Sequence, residues 1–329
     1  MILSVDGGAT KTCSILFDEE SGKILSIGLA GPSNFISISE AIAAENIKST
    51  ISQIEEKTGK AIPEEAHIIV AQAGIGDSST GTENWKKRLR EIFKRDNLRI
   101  ENDGLMAYRM ANMFQDGVIF APGTGSVGMM QKDGKMARLG GWGWFAGDDG
   151  SASWIGKEAL STAEKQMDRI YEGMNFVELV SDHFGDNFKD AVGSLEKDRN
   201  KRKVALLCPK VVEMAKNGDE YALKIIYAAA DYDASAIKTM LREFDSCPEV
   251  SVLGGTMKAG SIIRERISSQ VKCPVNFFNG YHVAVGGIIM GLQECGIAIN
   301  KGQRDRMIQE VDRIVENFNS KLRLNSLGY

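Results

Sequence analysis

The chain has 329 residues, about twice the usual length of a single domain, which predicts two domains. Hydrophobic residues make up 43% and charged residues 26% of it, and this ordinary globular composition excludes a long disordered or fibrous chain. The 40 Lys and Arg residues against 44 Asp and Glu residues leave a formal net charge of −4. Overall charge therefore gives no reason to expect nucleic acid or an anionic membrane as a partner.

The sequence carries no visible membrane or export signal. No apolar run approaches the roughly 18 residues that span a bilayer, and Asp6 stands where a secretory signal would still be apolar. We therefore expect a cytoplasmic protein. The five cysteines are scattered and form no C-x-x-C motif, which predicts reduced, buried thiols; they are Cys13, Cys208, Cys247, Cys273 and Cys295.

Apolar runs that end in glycine alternate with helical patterns, which is typical of an α/β protein. The pattern predicts strands at 2–5, 13–17, 24–29, 67–71, 99–100, 118–121, 127–130 and 250–253. It predicts a helix that begins after Ser39 and ends at Gly59, a polar surface helix over 84–94, and mainly helices over 153–244.

The chain begins with a predicted strand, a glycine turn and a second strand, and the same order of elements recurs near residue 118. This repetition predicts two domains of related fold, with a hinge near residues 104–117. The C-terminal stretch has apolar residues at helical spacing, so we expect an amphipathic helix that packs on the first domain. The predicted domains are 1–113, completed by the helix at 302–329, and 114–301.

The first chemical motif is DGGATKT, residues 6–12, between two predicted strands. Gly8 and its neighbour let the backbone approach an anion, while Thr10, Lys11 and Thr12 offer donors to phosphate oxygens. Asp6, at the end of the strand, is placed to hold hydrated Mg²⁺ beside those phosphates. The alternative is a glycine-rich hairpin whose Asp bonds its own turn.

The second motif is APGTGSVG, residues 121–128, which formally matches the G-x-G-x-x-G dinucleotide pattern. That pattern must open a helix, whereas the sequence here continues as a strand. A hairpin that binds phosphate, with Thr124 and Ser126 as donors, fits the sequence better.

The third motif is GGWGWFAGDDGSASWIG, residues 140–156. Trp142 and Trp144 supply flat apolar faces of the kind on which sugars pack, and Asp148 and Asp149 supply acceptors for hydroxyl groups. Two core tryptophans beside a helix cap are the alternative.

Two further positions stand at strand ends. Asp103 is suited to orient and deprotonate a substrate hydroxyl for attack on a γ-phosphate, although an Asp in such a place is usually a helix cap. Gly254 and Gly255 follow a strand and leave room for an adenine ring, but glycine pairs at strand ends are common.

Taken together and in this order, the five motifs resemble the superfamily of sugar kinases, actin and heat-shock-70 ATPases. They are most similar to its BadF/BadG-type ATPase family, which includes N-acetylglucosamine kinase. The resemblance covers roughly residues 2–295. It implies an α/β fold of two ribonuclease-H-like (actin-like ATPase) domains with an interdomain cleft, ATP and Mg²⁺ as cofactors, a sugar as substrate and a homodimer.

The resemblance also implies roles for individual residues. Asp103 matches the catalytic base, Thr10 and Thr124 match phosphate contacts, and Gly254 and Gly255 match the adenosine motif. The matches to sugar-binding positions are Asn34, Gly141, Trp142, Gly143 and Asp148, with Gly125 and Ser126 bordering the same pocket. Asp149 departs from the usual Glu, and no match specifies an acetamido pocket.

Other functions remain open at this level. An activator ATPase of the 2-hydroxyacyl-CoA dehydratase type needs cysteines for a shared iron-sulfur cluster, and the loop after residue 147 has none. A sugar sensor without catalysis would not need Asp103 and both phosphate loops. A sugar acid such as 2-keto-3-deoxygluconate would need a cation in the pocket, for which Arg138 is a candidate.

Overall fold

A computed structural model describes residues 1–76, 78–95 and 98–326. Its strands are β1 (Ile2–Gly7), β2 (Thr12–Asp18), β3 (Lys23–Ala30), β4 (His67–Gln72), β5 (Arg99–Asn102), β6 (Gly117–Pro122), β7 (Ser126–Lys132), β8 (Lys135–Gly140), β9 (Glu249–Leu253) and β10 (Val275–Phe278). Its helices are α1 (Glu40–Thr58), α2 (Ser79–Phe93), α3 (Asp103–Asn112), α4 (Ala152–Met167), α5 (Asn175–Phe184), α6 (Phe188–Asp198), α7 (Lys201–Ala205), α8 (Cys208–Lys216), α9 (Glu220–Leu241), α10 (Ser261–Gln270), α11 (Val283–Glu294) and α12 (Lys301–Ser326).

The chain divides into two compact units. Unit 1 contains Met1–Phe114 and Tyr281–Tyr329, and unit 2 contains Gln115–Gly280. The chain returns to unit 1 at Tyr281 rather than at the predicted residue 302, because α11 packs on β1 and α3. The hydroxyl of Ser4 in β1 donates to the backbone oxygen of Ala284 in α11 at 2.6 Å. Residues 327–329 of the predicted C-terminal helix lie outside the described residues.

Each unit is built on one five-stranded sheet, and the two sheets have equivalent topology. The strand order is β3-β2-β1-β4-β5 in unit 1 and β8-β7-β6-β9-β10 in unit 2. In both sheets the first three strands are antiparallel and the last two run parallel to the first. This is the ribonuclease-H-like arrangement, so the predicted α/β fold with two related domains is confirmed.

Helices cover the sheet of unit 1, and β1 is therefore buried along its whole length. Ile47 and Ile54 of α1 are fully buried, as their helical spacing predicts, and the helix begins after the Ser39 cap and ends at Gly59. In α12, the predicted apolar face contributes the buried side chains of Met307 and Val311, and the helix contacts β3 and α11.

The prediction of a polar surface helix over 84–94 is wrong in two respects. The helix α2 begins earlier, at Ser79, after the side chain of Ser78 caps it by accepting from the backbone nitrogen of Gly81. Trp85 and Leu89 are fully buried, and the Trp85 ring stacks on Phe35 with 5.1 Å between ring centroids. The many charges of α2 occupy its other face and concealed this narrow apolar stripe.

The prediction of reduced, buried cysteines is also wrong for one pair, since Cys247 and Cys273 form a disulfide. These residues precede β9 and β10, which run side by side in parallel register, and the sheet therefore brings the two preceding loops together. Cys13 and Cys208 are buried free thiols, and Cys295 is free and partly buried. The described residues include no helix long and apolar enough to cross a membrane.

We expect Trp85→Ala to lower the free energy of unfolding by about 3–5 kcal/mol, because it leaves a cavity under α2 and removes the stack on Phe35. Chemical denaturation with fluorescence or circular dichroism measures this loss. Ile42→Ala is the control, since Ile42 is 54% exposed on α1 and its truncation should change stability by no more than about 0.5 kcal/mol. Equal losses in the two variants would contradict the buried position of Trp85.

Candidate active site

In unit 1 the candidate residues lie where three parallel strands end at the same edge of the sheet. The strand β1 ends just after Asp6, β4 ends at Gln72, and β5 ends immediately before Asp103. The carboxyl ends of parallel strands are where α/β folds bind their ligands. The topology therefore brings Asp6 and Asp103, which are far apart in sequence, to one place.

The turn after β1 is tight and is held in place by a neighbouring loop. The backbone nitrogen of Gly8 donates to the oxygen of Lys11 at 2.9 Å, and Gly8 accepts from the backbone nitrogens of Ser33 (3.0 Å) and Asn34 (3.2 Å). These bonds attach the predicted sugar-binding Asn34 to the predicted phosphate loop. The Asn34 side-chain oxygen accepts from the backbone nitrogen of Ile36 at 3.0 Å, which fixes its orientation.

Gln72 supports the same turn from β4. Its Nε2 donates to the backbone oxygens of Gly7 (2.9 Å) and Ser33 (2.6 Å). A Cβ atom on Gly7 would overlap this amide group, so only glycine lets the two strands and the Ser33 loop approach so closely. No sequence motif singled out Gln72, although its position at the end of a buried strand was a usable signal.

The side chains of the 6–12 motif point in different directions. Thr10 is exposed, and the Nζ atom of Lys11 lies 3.7 Å from the ring centroid of Tyr281. Thr12 is fully buried. Its hydroxyl lies 2.8 Å from both the oxygen of Gly31 and the Oγ of Ser33. β2 is buried on both faces, and the Thr12 hydroxyl braces the loop through these contacts. The phosphate contact by the Thr12 side chain stays a prediction.

Asp6 and Asp103 differ in their surroundings. Burial raises the pKa of Asp6 to about 7; the Lys11 ammonium opposes this increase, and the Asp103 carboxylate adds to it. Asp103 is partly exposed as the first residue of α3. Asn102 provides the helix cap by accepting from the backbone nitrogen of Gly104 at 2.8 Å. Oδ1 of Asp103 accepts from the same nitrogen at 3.0 Å, but the capping residue of α3 is Asn102.

In unit 2 the equivalent sheet edge carries glycine turns instead of carboxylates. β6 runs into Gly123, and β9 runs into Gly254 and Gly255. Gly254 has φ +150°, and a Cβ atom there would overlap the carbonyl of Pro122. Thr256 donates through its hydroxyl to the same carbonyl at 2.6 Å. The predicted adenosine motif therefore lies directly beside the start of the second phosphate hairpin.

The hairpin between β6 and β7 is bonded to the first turn of α4. The backbone nitrogen of Ala152 donates to the oxygen of Gly123 at 2.9 Å, and that of Ser153 donates to the oxygen of Thr124 at 3.3 Å. The hydroxyl of Ser126 donates to the backbone oxygen of Asp149 at 2.8 Å. β7 continues directly from this turn, which confirms that the glycine pattern does not open a helix.

Asp148 is the centre of a small polar cluster in unit 2. It is 5% exposed and has φ +59°. Its Oδ1 accepts from the backbone nitrogen of Ser126 at 3.3 Å, and its Oδ2 pairs with the Lys201 ammonium at 2.5 Å. A Cβ atom on Gly125 would lie 2.6 Å from both Oδ2 of Asp148 and Nζ of Lys201. Gly125, Ser126 and Asp148 are therefore neighbours, as the predicted sugar-binding set requires.

Lys201 was missed by the sequence analysis. It is the first residue of α7 and lies 53 residues from Asp148 along the chain. The close packing of α7 on α4 brings it there. The two helices approach so closely at Gly156 of α4 that a Cβ atom there would overlap the carbonyl of Val204 in α7. The only sequence signal was Gly156 itself, which does not specify its partner.

The loop of residues 140–147 exposes two of its three aromatic side chains, and Trp144 is partly buried. Trp142 is 84% exposed and Phe145 is 88% exposed, and Gly141 and Gly143 have positive φ angles. Arg138 is exposed and donates to the backbone oxygens of Gly140 and Gly141 at 3.1 Å and 2.5 Å. Arg138 therefore braces the loop, and its candidacy as the cation for a sugar acid stays a prediction.

The donor set of unit 1 fits Mg²⁺ held mainly by phosphate and water. Among the described residues, no cluster of three or more His, Cys, Asp and Glu side chains is arranged to hold a metal. Mg²⁺ beside a nucleotide needs only one or two protein carboxylates, because it keeps several waters and takes phosphate oxygens. The buried Asp6, at a turn whose glycines admit an anion, meets that requirement.

We expect Asp6→Asn to stabilise the ligand-free protein at pH 8 by on the order of 1–4 kcal/mol. The folded pKa of about 7 lies above the ordinary value of 3.8, so the contribution of Asp6 to stability is fully present below pH 3.8 and is lost as the pH rises through 7. The difference in the free energy of unfolding between Asp6→Asn and the wild type should thus decrease toward pH 4. Chemical denaturation with EDTA across this range measures it, and an advantage independent of pH would contradict the raised pKa.

Known proteins match most of the chain. A model of the BadF/BadG/BcrA/BcrD ATPase family matches residues 3–291. The N-acetyl-D-glucosamine kinase of Dictyostelium discoideum is 25% identical over 287 residues, covering 82% of this chain and 90% of that protein. The glucosamine kinase of Vibrio cholerae is 24% identical over 235 residues, covering 70% and 77%.

A solved structure shows the same fold. The crystal structure of a Chromobacterium violaceum protein assigned as an N-acetylglucosamine kinase has a TM-score of 0.70 at 24% identity, covering 89% of this chain and 98% of that one. The predicted resemblance is thereby confirmed. Because the family match extends from β1 to α11, the chain belongs to the BadF/BadG/BcrA/BcrD ATPase family.

Proposed function

We propose that the protein is an ATP-dependent sugar kinase that transfers the γ-phosphate of Mg-ATP to a hydroxyl group of a small sugar, with N-acetylglucosamine, another amino sugar or a hexose as acceptor. The observation that carries this proposal is the sheet edge of unit 1. Asp103 lies at the same edge as the buried Asp6 and the Gly8–Lys11 turn, close enough to raise the pKa of Asp6. A family of ATPases and relatives that are amino-sugar kinases support the same conclusion.

The proposal gives each group of residues one task. In unit 1, Asp6 holds Mg²⁺ through water, and Gly8, Thr10 and Lys11 bind phosphate. In unit 2, Thr124 binds phosphate, and Gly254 and Gly255 accommodate the adenosine. Also in unit 2, the residues proposed to bind the acceptor sugar are Gly125, Ser126, Gly141, Trp142, Gly143 and Asp148. Asn34 of unit 1 stays a predicted sugar contact.

Bound Mg-ATP supplies the phosphoryl group and, as ADP, the leaving group. Asp103 accepts a hydrogen bond from the acceptor hydroxyl, orients its oxygen for in-line attack and takes up the proton as the new phosphate ester forms. The ammonium of Lys11 offsets the negative charge of the phosphate oxygens. Asp103 suits the role of base because it is partly exposed, whereas Asp6 is 6% exposed.

The charges around Asp148 favour a neutral acceptor. Its carboxylate and the Lys201 ammonium already form an ion pair, and Arg138 is bonded to its own loop. A sugar hydroxyl can share the remaining lone pairs of Asp148, whereas the carboxylate of a sugar acid would be repelled by it. We therefore place amino sugars and hexoses ahead of 2-keto-3-deoxygluconate.

The proposal is tested by measuring ADP release from Mg-ATP with N-acetylglucosamine, glucosamine, glucose, N-acetylmannosamine and 2-keto-3-deoxygluconate in turn. We expect strong stimulation by one of the amino sugars or by glucose. Slow ATP hydrolysis that no sugar stimulates would contradict a kinase and favour the activator or sensor alternatives. Gel filtration of the same sample tests the homodimer, which remains a prediction.

We expect Asp103→Asn to lower kcat by on the order of 10² or more, because it removes the base, while ATP binding changes little. Steady-state kinetics and calorimetric titration with ATP measure the two effects. Asp190→Asn is the matched control, since Asp190 is also an aspartate in the first turn of a helix, α6, and is exposed. Near-normal turnover of Asp103→Asn would remove Asp103 from the mechanism.

We expect Lys201→Met to raise the KM for the sugar by about tenfold or more with a smaller change in kcat, because the buried Asp148 carboxylate loses its charged partner and its fixed position. Lys201→Arg should retain most of the affinity. Lys203→Met is the control on the same helix, where Lys203 pairs with the exposed Asp198 at 3.0 Å. Equal KM values for the two Met variants would show that the ion pair of Lys201 does not serve sugar binding.

A further inference from the structure

Tyr281 contacts the predicted phosphate loop, although no motif singled it out. It is the first residue of unit 1 after the chain leaves unit 2 at Gly280. The Lys11 Nζ lies 3.7 Å from the centroid of its ring, well inside the distance at which an ammonium is attracted to the face of an aromatic ring. The two residues are distant in sequence, so the contact is made by the fold.

The loop backbone alone does not orient the Lys11 side chain. The bond from Gly8 to the Lys11 oxygen fixes the turn, but a lysine side chain has four rotatable bonds and loses much conformational entropy when it is held in one position. The Tyr281 ring, which is itself half-buried, supplies a flat surface against which the ammonium rests. The ammonium is also close enough to Asp6 for its positive charge to lower the pKa of that carboxyl group.

Tyr281 is in turn anchored to the C-terminal helix through the next residue. His282 is 5% exposed, and its Nε2 lies 2.8 Å from Oδ1 of Asp312 in α12. The backbone oxygen of His282 accepts from the nitrogen of Val285 at 2.9 Å and so joins the dipeptide to α11. The ring under Lys11 therefore has a rigid support on two helices of unit 1.

We propose that Tyr281 is a positioning residue: its ring face holds the Lys11 ammonium in the orientation that binds nucleotide phosphate, and the His282–Asp312 contact ties this arrangement to α12. This inference rests on the proposed function, because it takes phosphate as the ligand of Lys11. It assigns to the C-terminal helix a part in nucleotide binding that its distance in sequence does not suggest.

The first test examines the contact without any ligand. The rate at which an amine-acylating reagent modifies Lys11 is measured by mass spectrometry in the wild type, Tyr281→Phe, Tyr281→Leu and Tyr281→Met. We expect several-fold faster modification in the Leu and Met variants and a wild-type rate in the Phe variant, which keeps the ring. Tyr227→Leu is the control, because the Tyr227 ring makes a similar contact in unit 2, where its centroid lies 4.5 Å from the Arg266 guanidinium. Equal Lys11 rates in all variants would overturn the inference.

The second test measures phosphate binding. Calorimetric titration with Mg-ATP and with inorganic tripolyphosphate compares Tyr281→Leu and Tyr281→Phe in the wild-type and Lys11→Met backgrounds. We expect Tyr281→Leu to weaken both ligands at least severalfold, Tyr281→Phe to bind as the wild type does, and the Leu substitution to have no further effect once Lys11 is Met. Full additivity would overturn the inference, since it would show that Tyr281 does not act through Lys11.

The two proposals fail in different ways. A wild type that binds neither Mg-ATP nor tripolyphosphate would contradict the proposed function and, with it, the phosphate role of Tyr281. A wild type that binds both, together with a Tyr281→Leu variant of unchanged affinity, would contradict the positioning role alone. Thermal melting of each variant ensures that only folded protein is compared, and the Met variant replaces Leu if the latter unfolds.

Discussion

The burial of the Asp6 carboxyl group is the constraint around which unit 1 is arranged. Asp6 ends a strand that is buried throughout, and this burial raises its pKa to about 7, so the protein gives up stability to keep a carboxylate there at neutral pH. Several groups with fixed positions lie around Asp6. Gln72 holds the Gly7–Gly8 turn, and the Lys11 ammonium rests on the Tyr281 ring. Asp103 follows β5, which is separated from β1 by β4. A polar group kept at such a cost is typical of a functional site rather than of a structural core.

The same sheet topology occurs twice, and the two copies have diverged in what they place at the carboxyl ends of their strands. Unit 1 carries the titratable groups, Asp6 and Asp103. Unit 2 carries glycine turns at Gly123 and Gly254. Its buried Asp148 pairs with Lys201, and the packing of α7 on α4 rather than a strand brings that lysine into place. In the function proposed above, proton transfer is the task of unit 1, and unit 2 carries most of the residues proposed to recognise the acceptor sugar.

The sequence was most informative where periodicity and turns are local. Buried strands and the glycine turns between them specify both sheets, and the strand ends then locate Asp6, Asp103 and Gly254 without further information. It was least informative where a contact depends on two distant helices or on the alignment of two strands. Lys201 reaches Asp148 because α7 packs against α4 at Gly156. Cys247 meets Cys273 because the two parallel strands that follow them align. The apolar stripe of α2 was hidden by its charges, because Trp85 and Leu89 are few among many polar residues.

The most direct test of the account follows the transferred phosphoryl group itself. The protein is incubated with Mg-ATP and the sugar that most stimulates ADP release, and the phosphorus products are identified by ³¹P NMR and mass spectrometry. We expect one sugar phosphate ester in amounts equal to the ADP formed, with little inorganic phosphate. Inorganic phosphate equal to ADP, with no phosphorylated sugar, would contradict the assignment of Asp103 as the base for a sugar hydroxyl.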